Sequence, residues 1–111
     1  MRYLLLICND ETAEPYDAAE DNIEEWVKNN DERGISVIGD RLADASATVK
    51  RRGGTVVVTD GPYTETKELI AGFDVIEVAD RDEAIAVASA HPMARFGQVV
   101  VREFDPLHVG E

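Results

Sequence analysis

Residues 2–8 read RYLLLIC, and the placement of apolar side chains in this stretch decides the architecture. Along an extended chain, successive side chains alternate between two faces. Leu4, Leu6 and Cys8 then share one face, and Tyr3, Leu5 and Ile7 share the other. Both faces are apolar, which is the pattern of a strand buried on both sides.

Working outward, residues 9–15 are polar and turn-like. From Tyr16 the spacing changes. Tyr16, Ala19, Ile23, Trp26 and Val27 recur at three- and four-residue steps, predicting a helix whose apolar face packs on a sheet and which stops at Gly34. Residues 35–38 form a short strand closed by Gly39-Asp40, and residues 41–46 read as a loop. Residues 47–51 and 55–59 flank Gly53-Gly54, the signature of a tight hairpin. A turn at Asp60-Gly61-Pro62-Tyr63 leads to a strand over residues 69–78, with Gly72 marking a bulge. Asp80 and Glu83 stand three apart and resemble a capping box. Behind them Ala84, Val87 and Ala88 share a face of a second helix, which His91-Pro92 ends. Residues 97–104 form the last strand, and residues 105–111 a polar tail.

This order is a βαββαβ plan with an extra hairpin. It predicts an α+β sandwich over residues 1–104, with an antiparallel sheet and both helices on one face. Two helices cover only one face of a sheet. The other face would expose the second side of residues 2–8, and the last strand adds Val99, Val100, Val101 and Phe104. A second copy of the chain covers such a face most simply, so a homodimer is expected.

Composition bounds the rest. The 111 residues carry 11 basic and 23 acidic side chains, a net charge of −12 that disfavours direct nucleic-acid binding. No apolar run approaches the length of a membrane span, and residues 1–8 hold no signal-peptide pattern. With Cys8 as the only cysteine, a reducing, cytoplasmic setting is expected. Metal-ligand spacings and phosphate-binding glycine loops are missing, so no metal and no cofactor are expected. The acidic run from Asp10 to Glu25 reads as a solvated face, and Lys50, Arg51 and Arg52 form a small basic cluster on the hairpin.

The densest polar segment is residues 59–68, TDGPYTETKE. Asp60 and Glu68 are acid–base candidates there. Tyr63, Glu65 and Lys67 are candidates for holding a small-molecule ligand. The competing reading is structural, since Asp-Gly-Pro is ordinary turn chemistry. His91 is a further acid–base candidate because its ordinary pKa lies near neutrality, although a histidine before proline also suits a helix end.

The stretch VTDGPYTETKE, followed by GF-x-VIEV, resembles the DGPF subgroup of the YCII-related family. The terminal runs RYLLLIC and GQVVVREF and the lead-in ATVKRRGGTVVVTDGP are similar to the same family. The resemblance implies a ferredoxin-like domain of the dimeric α/β barrel superfamily. It also implies an enzymatic role for many members, which carry a characteristic His and Asp. DGPF members occur fused to, or encoded beside, sigma-70-type transcription factors. The expectation is thus a small cofactor-independent enzyme using acid–base chemistry. The alternative is a non-catalytic ligand-binding or regulatory module with a sigma factor as partner. Two departures stand out: Tyr63 replaces the subgroup's Phe, and no histidine lies between Tyr16 and Gly34, where the wider family places it.

Overall fold

Strand β1 (Arg2–Cys8) lies at the centre of the sheet, as its two apolar faces require. A computed structural model of the chain describes residues 1–61 and 70–106. β1 is flanked on one side by β5 (Ile70–Glu77) and on the other by β6 (Gln98–Glu103), both antiparallel. β2 (Ser36–Arg41) pairs antiparallel with the far edge of β5, giving the order β2-β5-β1-β6. This is a ferredoxin-like α+β arrangement. The inserted hairpin, β3 (Ala47–Arg52) and β4 (Thr55–Asp60), forms its own two-stranded sheet. Gly53 and Gly54 both have positive φ, 55° and 79°, as a two-residue hairpin turn of this hand demands. Tyr63, Glu65, Lys67, Glu68 and His108 lie outside the described residues.

Tyr3, Leu5 and Ile7 are buried beneath helices α1 (Ile23–Glu32) and α2 (Arg81–Ser89), together with Trp26, Ile76, Ala84, Val87 and Ala88. The opposite face of β1 is only half covered at Leu4 and Leu6, so within one chain the strand is not buried on both sides. Trp26 joins the two helices directly. Its Nε1–H donates to the Val87 carbonyl at 2.9 Å, which satisfies a polar atom that burial would otherwise leave costly.

The first helix begins later than the apolar spacing suggests. Tyr16 lies outside it, Ala18–Glu20 makes a separate 3-10 turn, and α1 starts at Ile23. The reason is local competition by aspartates. Asp17 accepts from the Ala19 amide and Asp21 from the Ile23 amide, each ending one turn and opening the next. Val27 is exposed and Asn30 takes the buried position one turn after Trp26. The stop at Gly34 is as expected. Its φ of 68° lets Gly34 N–H reach Asp31 and Ile35 N–H reach Asn30, a Schellman closure.

β2 runs on to Arg41, absorbing the start of the expected loop. At α2, Asp80 caps the Glu83 amide at 2.9 Å, while Glu83 returns a bond to the amide of Ala79 rather than of Asp80. After His91-Pro92, where the sequence analysis ends the second helix and assigns nothing before the last strand, the chain forms a short helix, α3 (Met93–Phe96). Between Ile7 and Cys8 the β1–β5 register shifts at Ala71, next to Gly72, giving the bulge. No helix among the described residues is long and apolar enough to cross a membrane.

Leu5 is fully buried at the centre of this packing. Leu5→Ala is expected to cost about 2–5 kcal/mol of unfolding free energy, with an unchanged denaturant slope, in a urea titration.

Candidate functional site

The bulge at one end of the sheet, the late start of α1 and the insertion of α3 leave a cavity of about 610 Å³ between the sheet and the helices. β1 contributes Ile7, β2 contributes Gly39 and Arg41, and β5 contributes Gly72 and Asp74. Trp26 and Ile23 line it from α1, His91 from the end of α2, and Met93 and Phe96 from α3. Tyr16 and Asp21 complete the wall from the segment before α1. This size and mostly apolar lining suit a small organic molecule.

Asp74 is the group that strand alternation makes unusual. It stands opposite Leu5 on one side and Gly39 on the other, on the helix-facing side of the sheet. Its carboxyl has no hydrogen bond or ion pair among the described residues, and burial alone pushes its pKa up to about 6. Gly39 is what makes room for it. A Cβ at position 39 would fall 2.0 Å from Asp74 Oδ1, while the Gly39 backbone needs no positive φ. The glycine is therefore there for close approach rather than for a turn.

His91 is buried and lines the same cavity. Its Nδ1 accepts from the Met93 amide at 2.9 Å, opening α3, and its ring meets Trp26 edge-on at 4.7 Å between centroids. Accepting at Nδ1 places the proton of the neutral ring on Nε2. Burial pushes the His91 pKa down to about 4, with Asp21 opposing the shift, so the ring is neutral and offers an N–H. The near-neutral titration expected of this histidine is thus replaced by a buried, uncharged one.

Around these two, Tyr16 donates to Asp21, which raises the phenol's pKa. Tyr16 also stacks edge-on against Phe96 at 5.4 Å. Arg41 brings a positive charge to the cavity and makes no ion pair among the described residues. Asp60 stands elsewhere, exposed at the end of β4 and outside the cavity lining. Of the candidate site residues within the described chain, the structure brings only His91 to the cavity. Asp74, Arg41, Tyr16 and Asp21 were not singled out from sequence as site residues. The signal for Asp74 was present: IAGFDVIEV sets an acid in register with Ile76 and Val78, on the buried face. No cluster of three or more potential metal ligands occurs among the described residues.

The two shifted groups impose opposite pH dependences on stability. Asp74 holds its proton more tightly when folded, so its contribution falls as pH rises from about 4 to about 6. His91 holds its proton less tightly when folded, so its contribution rises with pH from about 4 to about 6.5. Asp74→Asn removes the first slope alone. Relative to the natural chain, the variant is expected to gain stability steadily through that window and to stay the more stable above about pH 6. Urea unfolding at a series of pH values checks this, and a difference that does not change with pH would contradict the burial of Asp74.

A sequence profile of the YCII-related domain matches residues 1–107. The chain is also similar to an uncharacterized protein, R00369, of Rhizobium meliloti (strain 1021), at 30% identity with 79% of this chain and 77% of that protein covered. With nearly the whole chain matched by the profile, the protein belongs to the YCII-related family.

Proposed function

We propose that this YCII-related domain is a small cofactor-independent enzyme that moves a proton on a small carbonyl compound, with Asp74 as the base. The observation that carries the reading is a carboxyl without a partner among the described residues, lifted to about 6 by burial, in the lining of a cavity of about 610 Å³. A base titrating there is ionised at neutral pH yet basic enough to take a proton from an activated carbon. The C–H electron pair then passes into the adjacent carbonyl, forming an enolate, and Asp74 holds the proton until it is returned to the same or a neighbouring carbon. The oxygen that gains charge needs donors. The Nε2–H of neutral His91 and the Arg41 guanidinium are donors that share the cavity with Asp74. Arg41 also suits a carboxylate on the substrate. Trp26 and Phe96, both buried, supply apolar walls to the cavity that holds the reacting carbon.

The test is solvent deuterium incorporation, followed by proton NMR, into a panel of small carbonyl compounds that carry an acidic α-hydrogen and a carboxylate. The natural chain is expected to catalyse exchange at a rate that climbs through about pH 6 as Asp74 ionises. Asp74→Asn is expected to lose about 100-fold or more. Absence of exchange across the panel, or equal exchange by Asp74→Asn, overturns the reading.

A further inference from the structure

Residues 9–21, between β1 and α1, close one side of the cavity through Asn9, Tyr16 and Asp21. The segment is mostly exposed. Among the described residues its backbone hydrogen bonds stay inside it: Ala13 N–H goes to Asp10, Glu20 N–H to Asp17 and Asp21 N–H to Ala18. The amides of Thr12 and Ala19 turn to the side chains of Asp10 and Asp17. A stretch with its backbone bonds satisfied locally can leave the body of the protein without breaking them.

What ties the segment across the cavity is α3. Arg95 Nε donates to Glu14 Oε1 at 2.8 Å, and Arg95 Nη1 stands 3.9 Å from Glu20 Oε2. The Tyr16 ring meets Phe96 edge-on, and the Arg95 guanidinium lies 4.9 Å from the centre of the same Phe96 ring. Charge makes Arg95 the decisive tie. Residues 9–21 carry Asp10, Glu11, Glu14, Asp17, Glu20 and Asp21 and no basic side chain, so the segment repels itself unless a cation gathers it. Arg95 and its acidic partners are each about half exposed, and ion pairs in that setting are individually weak. We propose that residues 9–21 are a lid over the cavity, latched to α3 by Arg95, and that small molecules enter when the latch releases. The acidic run is then the moving part of an entry device as well as a solvated surface. The lid follows from the cavity's position and holds whether or not Asp74 acts as a base.

Trp26 reports the state of the lid. It is the one tryptophan of the chain, it lines the cavity and it is 5% exposed. The test is quenching of its fluorescence by acrylamide in the full chain, with urea unfolding run alongside to confirm that each variant is folded. Arg95→Gln is expected to raise the quenching constant at least about twofold by releasing the lid. Glu14→Gln leaves α3 untouched and is expected to raise it less, because Glu20 still holds Arg95. Arg33→Gln removes an ion pair to Glu83, away from the lid, and is expected to leave quenching as in the natural chain. A constant that either latch variant leaves unchanged overturns the proposal, and so does one that Arg33→Gln raises as far as Arg95→Gln. Because the readout is Trp26 access, failure of the deuterium-exchange assay leaves the lid standing.

Discussion

Strand β1 has two apolar faces, and one chain carries only enough helix to bury one of them. The rest of the structure depends on that constraint. Tyr3, Leu5 and Ile7 take the covered side, and the helices are placed by what they must bring to it. Trp26 spans the gap between α1 and α2 and ends on the Val87 carbonyl, so the two helices are tied over β1 by a buried hydrogen bond as well as by contact. The side left open by this choice holds the surplus of apolar surface, and the hairpin adds to it.

The cavity is the consequence of imperfect closure at one end of the same layer. Aspartates before α1 divert the backbone into short turns, α3 intervenes before β6, and the bulge at Ala71 breaks the regular ladder. Each of these withdraws packing atoms from one corner. A carboxyl inside that corner loses water without gaining a hydrogen bond among the described residues, and its proton affinity rises accordingly. His91 responds to the same burial in the opposite sense, because its charged form is the protonated one. One low-dielectric pocket thus yields an acid that holds its proton to higher pH and a histidine that sheds its proton, which is the separation acid–base chemistry needs.

Gly39 shows how closely strand and site are coupled. Its missing side chain is the space Asp74 occupies, so the position on β2 and the carboxyl on β5 form one unit across a ladder rung. The local cap at His91 has a similar double character. The bond from the Met93 amide to Nδ1 begins α3, and it also fixes Nε2 as the nitrogen that carries the proton of the neutral ring.

Alternation and spacing were enough to determine the order of the strands and of the two longer helices, the tight glycine hairpin, the Asp80 cap and the small-residue face of α2, because these rest on contacts within a few residues. They also determined that one chain has more apolar strand surface than its two helices can cover. The same local rules misplaced the start of α1, where side-chain competition by Asp17 and Asp21 outweighs a helical apolar spacing that runs back to Tyr16. They directed attention to the polar turn after β4, whereas Asp60 proves to be exposed and outside the cavity. Only the tertiary structure decided which acid is chemically distinct. Asp74 owes its environment to Leu5, Gly39 and the helices above them, residues far apart in the chain, and no spacing along one strand encodes the desolvation that distant segments impose on it.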